Sequence, residues 1–400
     1  MKIIMINQDA TVPPYGYGGR SYFLFEEFNK IGHTTDLLKA KNSHLHRSQL
    51  IEPKRANITS LFTFKYKKSN SYLRIVNWFL FSILVIFRAM YMKVTGRVVD
   101  IVYYSSPSLV GAIAGLAMAK IFRVKFVFEF RDIWPLTLVS VGGFSETNIG
   151  IKFMRKIEKL VVSKADLVVS TLPGGRVYLE ESGFKFKDYY HSPNGVNTSE
   201  LSLALAREQK EIYFDKKKLN ITYAGSLGKA NAIDKLMPGI IKLRHRQDLQ
   251  FHIIGDGTEK RKFEDLVNEN DNIIFYGHLD KFSTIKSLAD SDVALIAWHD
   301  LDIYRFGVSA NKLFEYMALG LPIINIYSGD YDYVSKYQCG VTLECSKHLD
   351  FVDGIIELSD VTTRQEAGQS GQARVLESHT YDVIAANLIK KLDDILDKID

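Results

Sequence analysis

Four stretches of this chain place residues able to hold phosphate or move protons beside glycines. The first is Pro13-Pro14-Tyr15-Gly16-Tyr17-Gly18-Gly19-Arg20, after a strand-like run and before a helical one. Gly18 and Gly19 let backbone approach a phosphate or sugar, and the helix start offers unpaired N–H groups. Arg20 adds a planar cationic fork. The spacing is not Gly-x-Gly-x-x-Gly, so no dinucleotide is indicated, and a plain flexible turn is the alternative. The second stretch is Glu129-Phe130-Arg131-Asp132-Ile133-Trp134-Pro135, at the end of an apolar strand. Arg131 and Asp132 there are candidate catalytic residues facing an acceptor; their other reading is a mutual pair or a helix cap. The third is Tyr223-Ala224-Gly225-Ser226-Leu227-Gly228-Lys229-Ala230-Asn231, where Ser226 and Lys229 suit a diphosphate and a solvated surface lysine is the alternative.

The fourth stretch carries the most weight. It runs from Tyr304 through Arg305, Gly307, Val308, Ser309 and Asn311 to Glu315, then to Gly320-Leu321-Pro322 and a buried strand. Amides near Val308 and Ser309 suit a phosphate at a helix start. Glu315 stands among Leu313, Phe314 and Met317, where a carboxylate needs partners. Paired ribose hydroxyls would serve, and so would a contact with Lys312. Three Asp-x-Asp triplets, at 290–292, 300–302 and 330–332, have the form of divalent-cation ligands, with Asp300 and Asp302 best placed after a strand. Because cationic side chains are available for the same task, neither a metal nor any other cofactor is expected. His44 and His46 sit in a basic loop without further ligands and read as solvated.

Positioning these residues takes an α/β framework. Apolar runs at 3–7, 35–39, 100–106, 125–130 and 166–171 alternate with helical patterns, and a second series follows at 220–226, 251–257, 272–278, 292–298 and 322–327. Continuous rather than alternating apolar strands indicate parallel sheets covered on both faces. The 400 residues are ample for two such domains. The expected division is 1–195 for a first Rossmann-like domain, joined by a C-terminal helix at 381–400, 196–218 for a linker, and 219–380 for a second Rossmann-like domain. The two cysteines, Cys339 and Cys345, are too few for a disulfide scaffold, so a reduced, cytoplasmic setting is expected. The first residues read as a strand and not as a signal peptide.

Charge is uneven although its net value is only +5. Between Lys41 and Arg74 there are eight Lys or Arg and one acid, Glu52. The apolar stretch Trp78 to Val94 comes next, and Ile75 to Phe87 is thirteen residues without a charge, too short to span a bilayer. A buried core helix is one reading. The other is peripheral attachment to an anionic inner-membrane surface through 65–94, with Trp78 and Tyr91 at the interface. Nothing in the charge pattern indicates nucleic acid.

The succession Gly-Gly loop, strand-end Arg131-Asp132, Gly225-Ser226-Leu227-Gly228-Lys229, Gly255-Asp256-Gly257 and Asn311-Lys312-Leu313-Phe314-Glu315-Tyr316-Met317-Ala318-x-Gly320-x-Pro322 resembles glycosyltransferase family 4. Within it the chain looks closest to N-acetyl-fucosamine-transferase-type enzymes of bacterial surface-polysaccharide assembly. The resemblance implies the GT-B fold, two Rossmann-like domains with parallel sheets facing a central cleft. It further implies a nucleotide-diphosphate sugar donor, a polyprenyl-diphosphate-linked acceptor and retention of anomeric configuration. Glu315 would bind the donor ribose, Lys229 the diphosphate, and Asp256 and Gly257 would lie near the base. Two departures stand out. Many members carry a first Glu where this chain has Gly307, and a His where it has Arg131. A nucleotide-sugar 2-epimerase of the same fold and a catalytically silent membrane-associated scaffold are the alternatives.

Overall fold

The computed structural model describes residues 1–13, 15–16, 19–43, 45, 54–66, 71–106, 108–208, 212–228, 231–344 and 350–398. They divide into two units, Met1–Pro193 with Tyr381–Asp400, and Asn194–Thr380.

The first unit has seven parallel strands: β1 (Lys2–Ile6), β2 (Thr34–Ala40), β3 (Ile58–Leu61), β4 (Ile101–Ser105), β5 (Lys125–Phe130), β6 (Leu167–Ser170) and β7 (Tyr189–His191). Their order is β3-β2-β1-β4-β5-β6-β7. β1, β4, β5 and β6 bury nearly every residue, as strands covered by helices on both faces must. Helix α1 (Arg20–Lys30) packs against the C-terminal helix Tyr381–Asp397. Phe25 and Phe28 share a core there with Leu388 and Leu392. Helix α2 (Tyr72–Val94) packs on α3 (Leu109–Phe122), which in turn meets the helix Ile149–Lys164.

The second unit has six parallel strands: β8 (Leu219–Ala224), β9 (Leu249–Ile254), β10 (Ile273–Gly277), β11 (Val293–Ala297), β12 (Ile323–Ile326) and β13 (Gly340–Leu343), in the order β10-β9-β8-β11-β12-β13. Each sheet reverses its strand order once, between β1 and β4 in the first and between β8 and β11 in the second. An open α/β sheet binds ligands outside the carboxyl ends of its strands at such a point. In the first unit these ends carry Asn7 to Asp9, Ser106 and Arg131-Asp132; in the second, Gly225-Ser226 and Trp298 to Asp300.

Three differences from the sequence reading have physical causes. The edge strands β3, β7 and β13 went unrecognised because an edge strand needs no long apolar run, and each is four residues or fewer. The expected linker 196–218 is partly folded: Asn197 caps a helix, Thr198–Leu205, whose Leu201 and Ala204 are buried in the second unit's core. Val196 also bridges Thr380, so the chain arrives in and departs from this unit side by side. Finally, α2 is 23 residues long, and by length and composition alone it would pass for a membrane span. One of its faces nevertheless belongs to the domain, since Phe81, Val85 and Ala89 are fully buried.

Candidate active site

In the first unit a charged network lies just below the carboxyl end of the sheet. Arg20 is fully buried, and its Nη2 donates to Glu129 Oε2 at 2.7 Å and to the Ser192 carbonyl at 3.0 Å. Its Nη1 donates to the Pro193 carbonyl at 2.6 Å. Glu129 also accepts from the Tyr103 hydroxyl at 2.7 Å and from Ser105 Oγ at 2.6 Å. Burial pushes the Glu129 carboxyl up, but the Arg20 guanidinium outweighs it and holds the group below its ordinary value. Arg20 therefore corrects the sequence reading. It braces α1 to β5 and to the end of the unit, with its fork filled by protein oxygens, and none of it is presented to a diphosphate. Gly19 is likewise buried at the start of α1, while Gly18 lies outside the described residues.

Above this network stands Asp132. It caps no helix, since the following helix Leu136–Ser140 starts at Pro135 without a side-chain cap. Its carboxylate has an accessible surface and accepts no hydrogen bond among the described residues. Crowding by surrounding protein raises its pKa, against the pull of Arg131 and then Arg74. The accessible surface is what decides whether a substrate can reach the group; the crowding tunes its acidity. Arg131 is half-buried, with its backbone N–H donating to Ser106 Oγ and its carbonyl accepting from Thr171. Arg74 lies 5.5 Å over the Trp78 ring, and Trp78 meets Trp134 edge-on at 6.2 Å. Trp78 itself is half-buried.

In the second unit the helix Asn311–Ala318 is fastened to β8 through Tyr316. The Tyr316 hydroxyl donates to the Ala224 carbonyl at 3.0 Å and accepts the Ala224 N–H at 3.1 Å. That bond sets Lys312 and Glu315 beside the end of β8. Glu315 pairs with Lys281 at 3.3 Å, and Lys281 also holds Glu200 at 2.6 Å. Burial lowers the Lys281 ammonium's pKa, but Glu315 and Glu200 together raise it above its usual value. Glu315 Oε1 is thus engaged while the group keeps 19% of its side-chain surface. Lys281 and Glu200 were invisible in the sequence reading, because they lie on two other helices.

The remaining expected donor residues fall in three groups. Ser226, Asp256, Gly257 and Asn311 are at least partly exposed at strand ends or a helix start. A Cβ on Gly257 would lie 2.4 Å from the Leu227 carbonyl carbon, so glycine here serves close packing of the β8 and β9 loops. Gly307 and Val308 are buried, and Gly307 has φ +87°, a conformation in which a residue with a side chain would be strained. Ser309 is taken up by the chain itself: its Oγ accepts the Asn194 N–H at 3.0 Å. Arg305 pairs with Asp302 at 3.0 Å and lies 4.2 Å over Phe306, a local surface arrangement rather than a free donor cation. Lys229 lies outside the described residues, as do His44, His46, Lys67 and Lys68. Two Asp-x-Asp triplets are structural, with Asp292 accepting the Asn220 N–H and Asp332 capping the helix Tyr333–Lys336. Among the described residues no cluster of three His, Cys, Asp or Glu forms a metal site.

The second unit also matches a family model over most of its length. Residues 218–360 match the model described as Glycosyl transferases group 1. The matched stretch spans β8 to β13, including Lys281, Lys312 and Glu315. No curated protein sequence matches the chain. Solved structures match over nearly its whole length. A sucrose-phosphate synthase from Thermosynechococcus elongatus has TM-score 0.73 and 17% identity, covering 98% of each chain. Anabaena Alr3699/HepE in complex with UDP has TM-score 0.68 and 14% identity, covering 98% of this chain and 100% of that one. The lipopolysaccharide outer core galactosyltransferase WaaB has TM-score 0.62 and 15% identity, covering 98% and 99%. At such identities the fold is what is shared: two parallel-sheet α/β domains of the GT-B class.

Proposed function

We propose that this chain is a retaining glycosyltransferase. It moves a hexosyl or N-acetylhexosaminyl group from a nucleotide-diphosphate sugar to a polyprenyl-diphosphate-linked oligosaccharide, in O-antigen, lipopolysaccharide or capsule assembly of the N-acetyl-fucosamine-transferase type. UDP is the first nucleotide to test, because HepE is seen with UDP and UDP-glucose. The observation carrying the reading is Glu315, held at the end of β8 within the stretch that matches the family model, with one oxygen uncommitted among the described residues. A carboxylate in that state accepts paired ribose hydroxyls. Attack on the same face from which the diphosphate leaves retains configuration; the acceptor oxygen bonds to the anomeric carbon as the carbon–oxygen bond to diphosphate breaks. The acceptor's proton passes to the departing diphosphate, and the protein supplies positioning and charge. Protein cations, not a metal, meet the diphosphate in this reading. The test is Glu315→Ala. Lys281 keeps Glu200, so the fold is expected to survive, while UDP affinity falls about 10- to 100-fold through loss of a charged hydrogen-bonding partner. Unchanged affinity in calorimetry would remove the ribose assignment.

The acceptor side gives α2 a use. Ile75, Phe79, Ile83 and Phe87 recur at intervals of four and are each at least half exposed, opposite the buried Phe81-Val85-Ala89 face. On the buried face Asn77 holds the backbone of Phe64, and the Phe62 and Phe64 side chains are exposed as well. Lys65, Arg74, Arg88 and Lys93 are nearby in sequence. An apolar stripe with basic residues fits the anionic cytoplasmic face of a membrane, where a lipid-linked acceptor resides. Sedimentation with anionic vesicles should carry the protein down in low salt, and Ile83→Glu with Phe87→Glu should leave it in solution. Unmodified protein that ignores anionic vesicles would overturn this attachment.

A further inference from the structure

The second unit holds a cation that nothing described so far uses. Lys312 is one turn before Glu315 on the same helix face, where the pair is spaced for a contact. They do not pair, because Glu315 is committed to Lys281. Among the described residues Lys312 has no carboxylate partner. Its Nζ lies 5.0 Å over the Tyr223 ring and 3.4 Å from Asn231 Oδ1, both neutral groups. A Cβ on Gly225, just past β8, would be 3.5 Å from it. The ammonium is therefore at the carboxyl end of the strand bordering the point where the sheet order reverses. The surrounding protein lowers its pKa to about 8, with burial the cause. A cation so enclosed costs free energy unless an anion joins it. The helix start adds to the invitation, since Ala310 provides no capping side chain and the positive end of the helix dipole lies there.

We propose that Lys312 meets the diphosphate of the nucleotide-sugar donor and stabilises it as it leaves. This rests on the proposed function and extends it to a residue read from the sequence only as a partner for Glu315. Residues three apart on a helix lie one above the other, so a ribose on Glu315 sets its own phosphates toward the helix start and Lys312. With Arg20 closed off in the other unit, Lys312 takes up the charge that Arg20 was expected to carry.

Proton coupling follows. An anion beside Lys312 raises its pKa above about 8, so the bound state holds a proton that the free state sheds at higher pH. Affinity is then full below about 8 and falls as pH rises past it, with proton uptake on binding. The experiment is calorimetric titration of UDP and of uridine in EDTA, from about pH 7 to about pH 9.5, on the full chain and on Lys312→Met and Lys312→Arg. Expected for Lys312→Met is UDP affinity about 10- to 100-fold weaker, uridine affinity unchanged, and loss of the alkaline decline. Lys312→Arg should restore much of the UDP affinity without that decline. If Lys312→Met weakens uridine as much as UDP, the lysine is a structural brace and the inference fails. Equal UDP affinity in the unmodified chain and Lys312→Met overturns it while leaving the proposed function intact. UDP binding that appears only when magnesium replaces EDTA moves the role to a metal and also overturns it. No binding of UDP, ADP, GDP or dTDP to the unmodified chain refutes the proposed function, and the inference with it.

Discussion

Arg20→Met is expected to cost the first unit about 3–5 kcal/mol of folding stability, because it strands a buried carboxylate. Glu129 would keep the Tyr103 and Ser105 hydroxyls but lose its only ion-pair partner among the described residues. The Ser192 and Pro193 carbonyls would lose their donor as well. The pH dependence has a definite sign. With Arg20 present, Glu129's folded pKa lies below its unfolded value, so its contribution is intact above the unfolded pKa and lost as pH falls through the folded one. Without Arg20, burial should outweigh the remaining pull of Ser105 and Arg131 and raise the folded pKa. The penalty is then largest at neutral pH and shrinks on acidification, as Glu129 takes up a proton. Urea unfolding at about pH 7 and about pH 5 should show the gap narrowing. Replacing Glu129 by Gln in the same chain should recover much of the loss, because a buried pair exchanged for neutral groups costs far less than half a pair. The protein that remains folded should bind UDP as before. A variant of normal stability with sharply weakened UDP binding would return Arg20 to the donor site.

What the sequence revealed here follows from how far apart the determining residues lie. Continuous apolar runs disclosed the two parallel sheets, since a strand buried on both faces has to be apolar throughout. The Asn311–Pro322 stretch disclosed the Glu315 helix because glycine, helix and strand are consecutive there. Arg20 was misread for the opposite reason. Its partner Glu129 is 109 residues away, and an arginine after two glycines looks the same whether it faces a ligand or a buried carboxylate. Lys281 and Glu200 belong to the same class, since they reach Glu315 from helices separated in the chain. Gly307 had a signal that could be read further: a glycine where relatives have an acid points to a backbone need, and φ +87° supplies it. Lys312 carried no usable signal, because its importance lies in a partner it lacks.

Asp132→Asn is expected to lower turnover about 100-fold or more while leaving UDP affinity within about twofold, because Asp132 would accept the acceptor hydroxyl's hydrogen bond and align it as its proton passes to the departing diphosphate. Asp132 follows β5 in the first unit, whereas the proposed donor residues Glu315 and Lys312 belong to the second. Its carboxylate is accessible and unbonded among the described residues, a costly state in so crowded a place unless a substrate hydroxyl occupies it. The ionised form is acceptor-only and holds a hydroxyl more strongly than the protonated one. Since crowding raises the pKa, turnover should decline on acidification at a pH above that of an ordinary aspartate, and the Asn variant should lack that limb. Arg74 offers an independent check. Its charge lowers the Asp132 pKa, so Arg74→Met should move the acid limb to higher pH without removing it. Steady-state turnover against pH, on protein shown to bind UDP normally, reads all three. If Asp132→Asn turns over at the normal rate, Asp132 has no part in catalysis, and the acceptor's proton goes to the departing diphosphate unaided.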